Sequence, residues 1–197
     1  MGENMNVLYI SNLTGNLFAG PNNSVPAQIK AQSQIDNVFW YNINNVKREE
    51  WKKINCYNLK DYPSGRLKDL PEPFNKPDIA VIEEFYCFPF CKIIEDINEN
   101  SIPYIIIPRS ELTKKAQIRK KVKKFIGNIC YFKKMANNAS AIQFLSKQEK
   151  ADSGDKWNKN DFIISNGISI PEEKMENFSK DKIRATYIGR YEIYQKG

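Results

Sequence analysis

A chain of 197 residues with 41% apolar and 12% aromatic side chains is long enough for one α/β domain with a proper core, and not comfortably long enough for two. It contains no histidine, which excludes Ser-His-Asp and Cys-His catalysis and leaves any chemistry to carboxylates, Lys, Arg, hydroxyls and backbone groups. Its net charge of +7 is local: residues 114–134 carry nine Lys and Arg and no acid, the rest 21 basic against 23 acidic, so the excess points to one located anionic partner.

In chain order, Val7-Leu8-Tyr9-Ile10 is a short, wholly apolar run that predicts a buried strand. A loop rich in Asn, Thr and Gly follows. A helix is predicted from Ser24, with Ser24 as its cap, Pro26 in its first turn, and Val25, Ile29 and Ile35 on its apolar face. Val38-Phe39-Trp40-Tyr41 and Ile43 predict a second strand. Residues 45–77, with five prolines or glycines, are expected to be a surface excursion holding short pieces of structure. Strands are predicted at 78–82 and 102–107, with a helix over 89–98 between them, where Phe90, Ile93, Ile94 and Ile97 recur at helical spacing.

A long basic helix is expected over about 112–137, with Val122, Phe125, Ile126 and Ile129 facing a core and lysines on its back. Residues 141–145 read as a strand, and Ser146 with Glu149 as the capping box of a short helix. Strands at 162–164 and 186–188 close the series. Alternating strands and helices, with several strands apolar on both faces, predict a doubly wound, Rossmann-like parallel sheet covered on both sides. Ligands then bind outside the carboxyl ends of the strands, which selects the loops after Ile10, Ile82, Ile107, Leu145 and Ile164.

The four cysteines, Cys56, Cys87, Cys91 and Cys130, lack the paired spacing of a zinc site and read as small buried thiols of a reducing compartment. No apolar stretch is long enough to cross a bilayer, and the N-terminus has no basic flank before an apolar run, so no secretion signal is read.

Within the selected loops, Gly20 lets backbone approach a ligand ahead of a helix N-terminus, or simply sits in a surface loop. Arg109, just past a strand, can hold a phosphate or a sugar hydroxyl, or form an ion pair with Glu83, Glu84 or Glu111. Of the adjacent carboxylates Glu83 and Glu84, only one can face a cleft, since neighbours on a strand point oppositely. The basic segment fits an anionic membrane surface or a nucleic acid.

Taken in order, the landmarks resemble the N-terminal half of a GT-B glycosyltransferase of the family 4 type. They are the opening strand 5–10, Ala19-Gly20-Pro21-Asn22-Asn23-Ser24-Val25, Lys76-Pro77-Asp78 with its strand, Pro108-Arg109-Ser110-Glu111-Leu112 before the long helix, Ile164-Ser165-Asn166-Gly167-Ile168, and Tyr187-Ile188-Gly189-Arg190 with Lys196-Gly197. The resemblance implies a retaining, nucleotide-sugar-dependent hexosyltransferase of capsule, O-antigen or exopolysaccharide synthesis, cytoplasmic and peripheral at the inner face of the membrane. Residues 1–183 would form the acceptor domain and 184–197 the start of a truncated donor domain. Gly20, Asn23, Ser24, Glu84, Arg109, Ser110, Asn166 and Gly167 would meet a lipid-linked saccharide acceptor. Arg190 and Lys196 would hold the donor diphosphate, so that neither metal nor other cofactor is expected. Lys114, Lys115, Arg119, Lys120, Lys123 and Lys124 would face the membrane. The catalytic residues are expected in the second domain, leaving this chain inactive alone. A basic nucleic-acid-binding module and a stand-alone interaction domain are the alternatives.

Overall fold

The computed structural model describes residues 4–46 and 48–168. Seven strands, β1 (Asn6–Ser11), β2 (Asn37–Asn42), β3 (Cys56–Asn58), β4 (Ile79–Glu83), β5 (Tyr104–Ile107), β6 (Ala141–Phe144) and β7 (Asp161–Ile163), form one sheet in the order β3-β2-β1-β4-β5-β6-β7. Every pairing is parallel.

The apolar runs work because successive side chains leave a strand on opposite faces. Leu8 and Ile10 enter one core with Phe39, Tyr41, Ala80 and Ile82; Val7 and Tyr9 enter the other with Val38, Trp40 and Val81. The first core is completed by α3 (Phe90–Glu99), whose Phe90, Ile93, Ile94 and Ile97 are all buried as their spacing predicts, and by Phe132, Met135 and Trp157. The second is closed by α1 (Pro21–Gln32) through Val25 and Ile29 and by α2 (Glu49–Lys52) through Trp51. The sheet is thus covered on both faces, the Rossmann-like architecture expected from the alternating elements.

Several local expectations are corrected. Helix α1 begins three residues earlier, with Gly20 as its N-cap and Pro21 in its first turn; Ser24 lies inside it and bonds back to the Gly20 carbonyl (3.2 Å), and Ile35 is exposed beyond its end. The excursion at 45–77 contributes the edge strand β3. The single basic helix is broken: α4 (Lys114–Ile118) ends at Arg119 in extended backbone, and Lys120 takes a left-handed conformation (φ 55°) before α5 (Lys121–Gly127), a π-helical turn (Asn128–Phe132) and α6 (Lys133–Asn138). Val122, Phe125, Ile126 and Ile129 point to solvent, not to a core. Helix α7 (Lys147–Ser153) is capped by Ser146, whose hydroxyl accepts from Glu149 N at 3.0 Å. The Glu149 carboxylate does not complete a local box; it accepts from Leu145 N at 2.7 Å and from Ser110 N across the sheet. The strand expected at 186–188 and the domain boundary at 183 lie outside the described residues. Of the thiols, Cys56 and Cys87 are buried, Cys91 is partly buried, and Cys130 is exposed rather than buried.

Candidate functional site at the carboxyl edge of the sheet

The strand order reverses direction between β1 and β4: β2 and β3 extend to one side of β1, β5 to β7 to the other. In an open parallel sheet this reversal opens a crevice beyond the carboxyl ends of the two central strands. The loops that flank it are those after Ser11 and after Glu83.

The first loop is pinned from below. The buried Asn42 side chain accepts from Leu13 N (2.7 Å) and from Ser11 Oγ (2.8 Å), and its amide donates to Leu13 O (3.1 Å). Trp40 Nε1 donates to Ser11 Oγ (2.8 Å). Asn22 Oδ1 accepts from Gly15 N (3.0 Å). Gly15 has φ +75°, and a Cβ there would stand 2.7 Å from Val46 Cγ1, so the turn requires glycine twice over. Asn23 Nδ2 ties the loop tip through Leu17 O at 3.0 Å. Gly20 is exposed, with nothing within 4 Å of where a Cβ would stand.

Arg109 resolves the choice that the sequence left open. Its side chain is 4% exposed and Glu83's is 0% exposed, and Arg109 Nε donates to Glu83 Oε2 at 2.7 Å. The same guanidinium donates from NH1 to Ser24 Oγ (3.1 Å) and Asn166 Oδ1 (3.3 Å), and from NH2 to Gln28 Oε1 (3.4 Å). One arginine therefore laces together the ends of β4 and β5, helix α1, and the loop after β7. Ser24, Arg109 and Asn166, distant in sequence, are brought to one rim; Gly167 follows, exposed. Arg109 is committed to protein partners, so its part in the site is to hold the rim.

Glu84 follows the end of β4 at this edge and is partly buried. Glu84, Arg109 and Ser110 all have positive φ (77°, 48° and 67°), a costly backbone state for non-glycine residues that concentrates at functional sites. The turn is held by Glu84 N to Ile107 O (3.0 Å) and by the Glu111 carboxylate, which accepts from Phe85 N (2.5 Å) and Tyr86 N (3.0 Å). Burial, then the neighbouring carboxylates Glu111 and Glu83, push the Glu84 carboxyl up to about 8, against the opposing pull of Arg109 and the Asn12 backbone N–H. Burial likewise raises Glu83, with Arg109 pulling it back, and leaves its Oε1 buried without a partner. Glu84, raised this far, tends to keep its proton into the neutral range, where it can donate a hydrogen bond to a hydroxyl or exchange the proton with it.

Sequence reasoning passed over Gln28 and Asn42 as supports of the rim. It named Glu111 only as a possible partner of Arg109 and Glu149 only as a capping residue, whereas Glu111 holds Phe85 N and Tyr86 N and Glu149 holds Ser110 N. Lys124, expected on a membrane face, turns inward: its ammonium donates to Ala116 O (2.7 Å) and lies 4.5 Å from the centre of the Tyr86 ring. Burial lowers its pKa while Glu111 raises it. The other expected membrane-facing cations, Lys114, Lys115, Arg119, Lys120 and Lys123, are exposed. Arg190 and Lys196 lie outside the described residues. Compared with models of known protein families and with curated proteins, the chain matches none.

Proposed function

We propose that this chain is the acceptor-side domain of a retaining, nucleotide-sugar-dependent glycosyltransferase that extends a lipid-linked saccharide in bacterial surface-polysaccharide assembly. The observation that carries the reading is the Arg109 guanidinium, which draws Ser24 and Asn166 together beside the buried Glu83 at the carboxyl end of β4, next to the switch point between β1 and β4 and to Glu84. The order of the sequence landmarks supports it.

In this reading the acceptor sugar lies over the Gly20 loop and its hydroxyls meet the Glu84 carboxyl. Arg109 fixes Ser24 and Asn166 at the correct spacing instead of touching the sugar. Arg190 and Lys196 neutralise the donor diphosphate, a role that rests on the resemblance alone. The test is a calorimetric titration of a short-chain, water-soluble diphosphate-linked saccharide into the chain. Saturable binding that weakens about tenfold or more in Glu84→Gln or Asn166→Ala, without loss of fold, supports the reading; this corresponds to one hydrogen bond to a buried polar site. Binding unaltered by both substitutions places the acceptor elsewhere and contradicts it.

A further inference from the structure

Helix α5 is inside out. Val122, Phe125, Ile126 and Ile129 stand at i, i+3, i+4 and i+7, the spacing of one helical face, and are 71%, 63%, 55% and 70% exposed. Ile118 at the end of α4 and Phe88 are exposed as well, at 72% and 65%. The face turned to the protein is the polar one. It carries Lys124 over Tyr86 and Asn128, whose side chain is 3.0 Å from Tyr86 Oη. Gly127 completes it, with so little room that a Cβ would meet the Phe132 ring at 3.0 Å. A helix that shows its apolar stripe to solvent while tucking a lysine inward reverses ordinary amphipathic order, and a contiguous exposed apolar patch marks an interaction surface.

The charge around the stripe identifies the occupant. Nine cations and no acid lie between residues 114 and 134. A second copy of this chain would bring that cluster against its own like. A nucleic acid offers phosphates but no medium for aliphatic side chains. An anionic phospholipid bilayer offers both headgroup charge and hydrocarbon. We propose that residues 114–134 dock on an anionic bilayer with Ile118, Val122, Phe125, Ile126 and Ile129 sunk below the headgroups and the exposed lysines on the phosphates. Attachment is then apolar as well as electrostatic. It stands independently of what the crevice binds.

The docked segment is also wired to the crevice. Tyr86, two residues after Glu84, hydrogen-bonds to Gln117 (2.9 Å) and Asn128 (3.0 Å), and its N–H is held by Glu111. The bilayer therefore fixes the height of the rim as well as the location of the domain.

The test is co-sedimentation with vesicles of phosphatidylglycerol and phosphatidylcholine, against phosphatidylcholine alone. Binding to the anionic vesicles is expected, falling with salt. Phe125→Ser with Ile126→Ser, which leaves every charge in place, should weaken it about a hundredfold through lost apolar burial. Lys121→Glu with Lys123→Glu should weaken it on the order of tenfold or more. A Phe125→Trp reporter gives a second readout: it should be quenched by brominated acyl chains, while Trp40, Trp51 and Trp157 are buried and out of reach. Four results would overturn the proposal. They are equal binding to neutral and anionic vesicles, no binding to either, tighter binding to an oligonucleotide that survives Phe125→Ser with Ile126→Ser, and a dimer in analytical ultracentrifugation that the same pair of substitutions abolishes.

Discussion

Removing the guanidinium of Arg109 should unlace the rim, with a cost that depends on pH. The Arg109→Ala variant leaves the Glu83 carboxylate fully buried with neither oxygen on a cation, and Oε1 already lacks a partner. Breaking a buried ion pair by deleting one partner costs about 3–5 kcal/mol, because the remaining charge is uncompensated. For a domain of this size that corresponds to a drop of about 6–20 °C in melting temperature. The sign with pH follows from the direction of the Glu83 shift. Its folded-state pKa is already raised by burial, and losing Arg109 raises it further. A group with a raised pKa contributes stability that is present below its unfolded pKa and lost as pH rises through the folded one. The substitution should therefore cost less at an acid pH, about 5, than at about pH 8, because the raised carboxyl takes up its proton as pH falls. Urea unfolding of wild type and Arg109→Ala at the two pH values measures this. Adding Glu83→Gln to Arg109→Ala should remove the part of the pH dependence that Glu83 carries, leaving the smaller part from Glu84, which Arg109 also pulls down. A cost under about 1 kcal/mol, the range of a surface pair, or one that is the same at both pH values, would refute the buried-pair argument.

Two further substitutions probe the loops on either side of the crevice. Glu84→Gln removes a carboxyl whose pKa is raised to about 8, so the wild-type chain should lose stability relative to the variant as pH rises from the ordinary carboxylate range through about 8, with little difference in acid; paired thermal melts across pH check it. Gly15→Ala places a Cβ 2.7 Å from Val46 Cγ1 at a φ of +75°, and should cost about 1–2 kcal/mol in denaturant titration from the left-handed backbone, plus a clash. Val46→Ala in the same chain should relieve the clash and leave the backbone cost.

Much of the sheet was legible because its determinants are local. Val7-Leu8-Tyr9-Ile10 can only be buried on both faces, and the structure sends alternate residues of that run into the two cores. The spacing of Phe90, Ile93, Ile94 and Ile97 likewise specified the buried face of α3. Strand β3 was not legible, since three residues of mixed polarity owe their conformation to pairing with β2. The apolar periodicity of α5 was visible, but periodicity states that a face exists and not which way it turns. Its direction is set by contacts outside the helix, Lys124 with the distant Tyr86 and the close fit of Gly127 beside Phe132 and the distant Phe88. At the site, the parallel-sheet rule named loops that do lie at the carboxyl ends of the strands. The roles within them were not all readable: which carboxylate Arg109 would take, and that Glu149 would reach Ser110, depend on how β4, β5 and α7 are juxtaposed.

The crevice between β1 and β4 carries the functional claim, and backbone amide mapping tests it most directly. An isotope-labelled chain titrated with the soluble diphosphate-linked saccharide should show its largest shift changes at Gly20, Glu84, Ser110, Asn166 and Gly167, with the far, amino-terminal edge of the sheet unmoved. Changes centred away from that rim, or none at millimolar ligand, would contradict the account.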